Sequence, residues 1–349
     1  MSDINSFRDG ITYLRSFFAT DLAMDLGTAN TLIHARGQGI VVNEPSVVAI
    51  DKRTKKVVAV GTEAKMMFGK TPQDIMTIRP MKDGVIADFD AAKVMISSLI
   101  RKTKLTSFIL KPKIIIGVPS GITQVEKKAV IESAMETGMG EVYLVEEPMA
   151  AAIGTKMPVG ESRANLIVDI GGGTTEVAII SMYATAYSES IRVAGDELDE
   201  AIVRYLRKNH GIDVGVFEAE RVKIHIGSAF DSGTKLETEV AGRDIVNGLP
   251  KRVTVDDAMI RAAMADPVKA IVESVYRALH GISAEMAADV TSRGVVLAGG
   301  GALIRGLDKR IQQDLGLPVS TSPDPLTAIV RGAGTVLEEF NTYRRVIIN

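Results

Sequence analysis

The chain has 349 residues, 46% of them hydrophobic and 24% charged, and 41 Lys and Arg against 43 Asp and Glu leave a formal charge of -2. This length predicts two domains or one large bilobal body, of ordinary globular composition. The charge excludes a global basic field for nucleic acid or anionic lipid, either of which would need a local patch. The absence of cysteine and the scatter of the four histidines argue against disulfides, thiol nucleophiles and zinc sites, and no stretch resembles a signal peptide or the roughly 18 to 20 apolar residues of a transmembrane helix. We therefore expect a cytosolic protein.

The first segment has the pattern of an amphipathic helix. Its apolar residues recur at spacings of three or four, and they are Ile4, Phe7, Ile11, Leu14 and Phe18. Such a helix can lie in a membrane interface. It can also pack on its own domain or pair with another chain, and the pattern alone does not choose between these.

The next segment, "LAMDLGTANTLIH" at 22–34, predicts two short strands joined by a turn that contains Gly27 and Asn30. The β-branched residues of "GIVVNEPSVVAID" continue this β-rich opening.

A second hydrophobic segment, "KLTSFILKPK", places Phe108, Ile109 and Leu110 between lysines. These residues can insert beside anionic lipid headgroups, or they can simply lead into the strand that follows. The continuous apolar run in that strand, "IIIGVPSGI", is typical of a strand buried on both faces. The stretch after it, "TQVEKKAVIESAMETG", has helical spacing and ends at a glycine, which is typical of a helix C-terminus. The alternation predicts layered α/β structure.

The stretch "EEPMAAAIG" predicts a helix that begins near Pro148. An acid just before this proline complements the helix dipole, which gives Glu146 or Glu147 a purely structural interpretation.

A second strand, turn and strand, "LIVDIGGGTTEVAIIS" at 166–181, echoes the first. Asp25 and Asp169 each precede an apolar residue and a glycine, half a chain apart, so two similar lobes facing a shared ligand are expected. A strand rather than a helix follows Gly173, which excludes the Rossmann and Walker motifs.

The glycine turn of this second hairpin suits phosphate. Amides of Gly171 to Gly173 can form an anion nest, and hydroxyl or amide side chains of both hairpins can add donors. An aspartate two residues before this glycine turn would repel a bound phosphate. Its presence makes sense if Mg²⁺, bound through water, lies between the carboxylate and the phosphate. The alternative is a plain glycine-rich hairpin in which Asp is a turn former.

The last glycine-rich segment, "GVVLAGGGALIRGLDKRI", predicts a strand, a glycine turn and a helix whose apolar spacing runs from Leu303 to Ile311. Upstream, Glu220 and Lys223 lie on one face of a predicted helix. On spacing alone they predict a surface ion pair.

Three of these motifs, "DLGTANT", "VDIGGGTTE" and "LAGGGALI", resemble the phosphate and adenosine motifs of the actin, sugar-kinase and heat-shock-chaperone ATPase superfamily. Within it, "NEPSVVA", "IRPMKDGVIADF", "VPSG", "EEPMAAAIG" and "AERVK" resemble the MreB family of bacterial actins, from about residue 21 to the C-terminus. The resemblance implies an actin-like bilobal α/β fold with two duplicated ribonuclease-H-like subdomains and two smaller inserted ones. The implied division is an N-terminal segment 1–20, a lobe I core of 21–45, 78–154 and 325–349 with a small subdomain 46–77, and a lobe II core of 155–193 and 256–324 with a small subdomain 194–255.

The resemblance also assigns roles to residues. Glu147 positions the attacking water, with help from Thr174, and Asp25 and Asp169 hold hydrated Mg²⁺. The implied nucleotide contacts are Gly27, Thr28, Ala29, Asn30, Gly171, Gly172, Gly173, Thr174, Glu220, Lys223, Gly300, Gly301, Ala302 and Leu303. The implied membrane contacts are Ile4, Phe7, Ile11, Leu14, Phe18, Phe108, Ile109 and Leu110.

The function that the resemblance implies is a weak ATPase with ATP and Mg as cofactors, whose subunits form filaments of paired protofilaments at the inner face of the cell membrane. These filaments would organise cell-wall elongation and rod shape with membrane proteins such as RodZ and MreC, and without nucleic acid. A small-molecule kinase of the same superfamily is the alternative, and it would need a substrate pocket and a general-base Asp. A chaperone-type ATPase is disfavoured because no substrate-binding domain remains in the chain.

Overall fold

The computed structural model describes residues 20–105 and 111–348. The predictions for the amphipathic segment and for Phe108, Ile109 and Leu110 therefore lie outside the described residues. None of the helices within the described ranges is long and apolar enough to cross a membrane.

The elements alternate between strands and helices along the chain. The strands are β1 (Leu22–Leu26), β2 (Asn30–Ala35), β3 (Gly39–Pro45), β4 (Val48–Asp51), β5 (Val57–Val60), β6 (Ile75–Ile78), β7 (Met81–Lys82), β8 (Val85–Ile86), β9 (Lys113–Val118), β10 (Glu141–Glu146), β11 (Asn165–Ile170), β12 (Thr175–Ser181), β13 (Ala184–Ile191), β14 (Ile212–Asp213), β15 (Glu237–Asp244), β16 (Pro250–Asp256), β17 (Val295–Ala298) and β18 (Val319–Thr321). The helices are α1 (Thr62–Met67), α2 (Phe89–Lys102), α3 (Gln124–Met135), α4 (Glu147–Gly154), α5 (Gly195–His210), α6 (Val216–Ile226), α7 (Asp257–Ala263), α8 (Ala265–His280), α9 (Ala284–Arg293), α10 (Leu307–Leu315), α11 (Ala328–Glu338) and α12 (Phe340–Tyr343).

The chain divides into two compact units, of which unit 1 holds the described residues of Met1–Lys156 and Thr327–Asn349. Its main sheet has the order β10-β9-β1-β2-β3, with β1, β2 and β3 antiparallel and β9 and β10 parallel to β1. All five residues of β1 are buried, because apolar helices cover the sheet. The resulting core includes Met95 and Leu99 of α2 packed with Ile114 and Ile116 of β9.

Unit 1 also carries two smaller sheets, one with the order β5-β4-β6 and one made of β7 and β8. A small core of its own, centred on Val47, Ala49 and Ala64, fills the space between the first of these sheets and α1.

Unit 2 spans Met157–Leu326 and repeats the topology of unit 1. Its main sheet has the order β13-β12-β11-β17-β18, with an antiparallel meander of β11, β12 and β13 and with β17 and β18 parallel to β11. A three-stranded sheet, β14-β15-β16, is the counterpart of the small sheet in unit 1. The duplication that the two Asp-Gly hairpins predicted is therefore present in the strand order of both units.

One predicted helix begins later than its apolar spacing suggested. The spacing from Leu303 onward predicted one continuous helix, but Gly300–Leu303 forms a 3-10 turn and α10 begins only at Leu307. Gly306 interrupts the helical conformation with a φ of 73°, a conformation that glycine adopts readily. The short turn leaves the Leu303 side chain half exposed.

Candidate functional site

The first Asp-Gly hairpin, in unit 1, closes as predicted: β1 ends at Leu26 and β2 starts at Asn30. The turn between them is tight, because a Cβ added at Gly27 would lie 2.6 Å from the carbonyl oxygen of Asn30. Asp25 is the penultimate residue of β1 and is buried, and it pairs with Gly117 of the neighbouring strand β9. The hairpin thus places a carboxylate directly beneath a glycine turn.

Ser46 fixes this turn from the side, a role that the sequence pattern did not predict. Its hydroxyl donates to the Gly27 carbonyl at 2.6 Å and lies 2.9 Å from the Thr31 hydroxyl, and its N–H donates to the Ala29 carbonyl at 2.9 Å. The Thr28 hydroxyl, also buried, accepts a bond of 3.3 Å from the Gly84 amide in the turn between β7 and β8. The sequence signal for Ser46 was its position within "NEPSVVA", one of the stretches that resemble the MreB family. The spacing of residues in that stretch does not by itself indicate a role for the serine.

Glu147 is the first residue of α4 and is 7% exposed. Its side chain lies near β9, since a Cβ added at Gly117 would lie 3.8 Å from its Cγ. A carboxylate whose only role were to complement the helix dipole would be expected at the surface. The burial of Glu147 beside the strand end that carries Gly117 favours a functional role.

The small residues after Glu147 let α4 pack closely, and their partner in unit 1 is α11. A Cβ added at Gly154 would lie 1.9 Å from the Ala328 carbonyl oxygen, and one added at Gly332 would lie 1.7 Å from the Ala150 carbonyl oxygen. The two helices therefore touch backbone to backbone at this crossing.

The second hairpin, in unit 2, has the predicted strand after its glycines, since β12 starts at Thr175. The Gly171 amide, however, donates to the Thr174 carbonyl at 2.9 Å inside the hairpin. The Gly171 amide is therefore not free to bind phosphate, and only the amides that follow Gly171 remain available for the predicted anion nest. The carbonyls of Gly171 and Gly172 accept bonds of 3.2 and 2.7 Å from the Gly195 and Asp196 amides at the start of α5.

Asp169 is the penultimate residue of β11, and its side chain is almost fully buried, at 3% exposure. Its Oδ1 has no hydrogen-bond partner within residues 20–105 and 111–348. Burial raises the pKa of this carboxyl from 3.8 to about 7, because a charge loses solvation in the interior. A cation would remove that penalty, so the position fits one.

The third glycine motif packs against the strand end that carries Asp169. A Cβ at Gly299, whose φ is 77°, would lie 2.3 Å from the Ile170 carbonyl oxygen and 2.7 Å from Asp169 Oδ1. A Cβ at Gly301 would lie 2.2 Å from Ile170 Cγ2. Unit 2 thus brings the predicted phosphate and adenosine motifs together around the end of β11.

Lys223 has a different partner from the one that its spacing predicted. Its Nζ lies 2.8 Å from Asp199 Oδ1 and donates to the Gly195 carbonyl at 2.8 Å, and its side chain is only 12% exposed. The predicted surface location of the Lys223 side chain is therefore wrong, because the fold buries this face of α6 against α5. Burial raises the pKa of Asp199 to about 6, and Lys223 opposes that shift.

The predicted metal-binding carboxylates occur one to each unit. Within residues 20–105 and 111–348, no group of three or more His, Cys, Asp or Glu side chains is placed to hold a metal ion. Magnesium usually retains several waters and combines one or two carboxylates with substrate phosphates, so this arrangement does not conflict with the prediction.

Comparison with known proteins places these features in a family. The MreB/Mbl protein family matches residues 19–345 of the chain. The chain belongs to the MreB/Mbl family. The cell shape-determining protein MreB of Escherichia coli K12 is 49% identical over 334 residues, covering 94% of this chain and 96% of the relative. The cell shape-determining protein Mbl of Bacillus subtilis is 43% identical over 324 residues, covering 93% and 97%.

Solved structures agree with this assignment. MreB5 of Spiroplasma citri bound to AMPPNP has a TM-score of 0.89 at 35% identity, covering 93% of this chain and 97% of that one. The MamK double helical filament has a TM-score of 0.76 at 23% identity, covering 92% and 99%, which shows the fold alone. The predictions of the MreB/Mbl family and of the actin-like fold are confirmed, and the chain is a homologue of bacterial cell shape-determining proteins.

Proposed function

We propose that the chain is an ATP-hydrolysing cytoskeletal protein whose subunits assemble into membrane-associated filaments that organise rod shape. The observation that carries the proposal is the repeated hairpin with a buried aspartate below a glycine turn, present in both units. Family membership supports it, as do the AMPPNP and ADP found in MreB5 of S. citri.

The nucleotide contacts follow from the two hairpins and the third glycine motif. In unit 1, residues 27–30 would contact phosphate, with Thr28 offering its hydroxyl. In unit 2, Gly172 to Thr174 would contact phosphate, and the 3-10 turn Gly300–Leu303 with Glu220 would contact adenosine. We propose that Lys223 acts indirectly, through its bonds to Asp199 and to the Gly195 carbonyl.

Magnesium fits the same residues. Asp169 is buried with an unpartnered Oδ1, and Asp25 is the corresponding buried carboxylate of unit 1. Bound there through water, the ion would neutralise charge on the phosphates during transfer.

Hydrolysis needs positioning and charge neutralisation rather than a covalent nucleophile. We propose that the Glu147 carboxylate orients the attacking water and accepts its proton, and that the Thr174 hydroxyl helps to hold the γ-phosphate. The turnover is weak and coupled to filament assembly, in keeping with a cytoskeletal role.

Membrane binding would use residues 1–18 together with Phe108, Ile109 and Leu110. The described residues that border these segments lie together, because the Thr20 amide donates to the Leu105 carbonyl at 3.4 Å. The partners we propose are a second copy of the chain, inner-membrane lipid, and elongation proteins such as RodZ and MreC. Liposome flotation tests the lipid contact: deletion of residues 1–18 should reduce flotation, and unchanged flotation would show that this segment is not the main anchor.

The decisive experiment for the function is light scattering with electron microscopy of the purified chain, with and without Mg-ATP and liposomes. Filaments that depend on Mg-ATP and release phosphate support the proposal. An absence of filaments in all conditions, together with sugar-dependent release of ADP, would contradict it and favour a small-molecule kinase.

A further inference from the structure

The crossing of α4 and α11 connects the candidate hydrolytic carboxylate to the C-terminal part of the chain. Two pairs of small residues spaced four apart meet there: Ala150 and Gly154 on α4, and Ala328 and Gly332 on α11. At both glycines an added Cβ would fall within 2 Å of a backbone oxygen of the other helix. No side chain separates the two backbones, so α11 sets the position of α4 directly.

A second contact links the two helices through β9. A Cβ added at Gly117 would lie 2.9 Å from Cγ2 of Ile329, on the first turn of α11, and 3.8 Å from Cγ of Glu147. The missing side chain of Gly117 therefore leaves a space that both the Ile329 side chain and the Glu147 side chain border. This contact lies at the start of α4, a turn away from the glycine crossing.

We infer that Gly332 is a positioning residue for hydrolysis, acting through α4 on the Glu147 carboxylate. The inference rests on the proposed role of Glu147. A methyl group at Gly332 would stand 1.7 Å from the Ala150 carbonyl oxygen, whereas ordinary Cβ contacts begin near 3.4 Å, so α4 and α11 must move apart by more than about 1 Å. A displacement of about 1 Å in a catalytic group lowers turnover about 100-fold.

The test compares Gly332→Ala with Gly334→Ala, the same substitution two residues along the same helix. A Cβ at Gly334 would meet the His34 ring, at 2.9 to 3.0 Å, on the side of α11 that faces β2. Both substitutions change helix propensity equally. We expect Gly332→Ala to lower the single-turnover rate of ATP hydrolysis about 100-fold, with the nucleotide dissociation constant changed less than twofold, and Gly334→Ala to leave the rate within about threefold of wild type.

A double-mutant cycle with Glu147→Ala tests the positioning role of Gly332 separately from the proposed hydrolytic role of Glu147. If Gly332 acts through Glu147, Gly332→Ala has no further effect on the rate once Glu147→Ala is present. Equal fractional losses in both backgrounds would overturn the inference, as would a wild-type rate in Gly332→Ala. A wild-type rate in Glu147→Ala would instead overturn the proposed role of Glu147, and the inference with it.

A milder pair covers the case in which Gly332→Ala does not fold. Gly117→Ala should slow hydrolysis by pressing on Ile329, and adding Ile329→Ala should restore most of the rate, because it removes the methyl group that would clash. A slowed Gly117→Ala that Ile329→Ala does not rescue would show that α11 does not transmit the effect.

Discussion

The two Asp-Gly hairpins share their topology but are held in place by different means. In unit 1 Ser46 holds the turn by three contacts, two made by its hydroxyl and one by its backbone amide. In unit 2 the backbone of α5 holds the turn, through the Gly195 and Asp196 amides. A duplicated scaffold can therefore keep its strand order while its loops diverge. Under the proposed roles, unit 1 adds the buried Glu147 and unit 2 adds the proposed adenosine contacts, so turnover would depend mainly on unit 1 and nucleotide affinity mainly on unit 2.

Glu147→Ala is the most direct test of this division of turnover and nucleotide affinity between the two units. Loss of the carboxylate that we propose to orient the attacking water should lower the single-turnover rate about 100-fold to 10,000-fold, with ATP affinity retained. The matched control is Glu146→Ala, which removes the neighbouring carboxylate and should leave the rate near wild type. Wild-type phosphate release by Glu147→Ala would refute the assignment.

Gly299→Ala should have the next largest effect, on the stability of unit 2. The new methyl group would meet the Ile170 carbonyl oxygen at 2.3 Å in a backbone conformation with φ of 77°, and we expect a loss of about 3 to 5 kcal/mol in the free energy of unfolding. Gly316→Ala is the control, because its φ is 67° and an added Cβ meets nothing within 4 Å. It should cost only about 1 to 2 kcal/mol. Urea unfolding measures both, and equal losses would show that the contact with Ile170 is unimportant.

Ser46→Ala tests whether a side chain holds the turn of unit 1. It removes the bond to the Gly27 carbonyl and the contact with Thr31, and we expect a loss of about 1 to 3 kcal/mol in the free energy of unfolding, with weaker ATP binding. Ser274→Ala is the control: that serine is equally buried, and its hydroxyl bonds the Ile271 carbonyl within α8. If both variants behave alike, Ser46 does not hold the turn.

The smallest predicted effect is a pH dependence in unit 2. The folded pKa of Asp169, about 7, lies above its ordinary value of 3.8, so the stability contributed by the neutral form is lost as the pH rises through 7. If Asp169 holds Mg²⁺ as proposed, binding of Mg-ATP needs the charged form and should weaken about tenfold between pH 8 and pH 6. Titrations at both values measure this. Asp169→Asn should flatten the dependence, and an unchanged slope would assign it to another group.

The sequence predicted the strands and hairpins well, because β-branched runs broken by glycine are local signals. Both Asp-Gly hairpins occur where they were expected, and the capping box of α3, formed by Thr123 and Glu126, agrees with the predicted helix there. The predicted start of a helix at Leu303 was wrong, because the left-handed conformation of Gly306 divides the segment.

Partners distant in sequence could not be predicted. The bonds of Lys223 to Asp199 and Gly195, and those of Ser46 to the first turn, depend on how separate elements pack. The same holds for the crossing at Gly332, since "AIVRGAGTVLE" reads only as a helix rich in small residues. Spacing within one segment carries no information about the face that meets it.

The bond between Thr20 and Leu105 has a consequence for avidity. Under the proposed membrane binding, two weakly apolar segments are tethered to the body at nearly the same point, so insertion of one holds the other at a high effective concentration near the bilayer. Their binding free energies then largely add. A substitution that weakens the lipid binding of either segment therefore lowers the overall affinity by the same factor. Attachment at a single point of unit 1 would also give every subunit of a filament the same orientation toward the lipid.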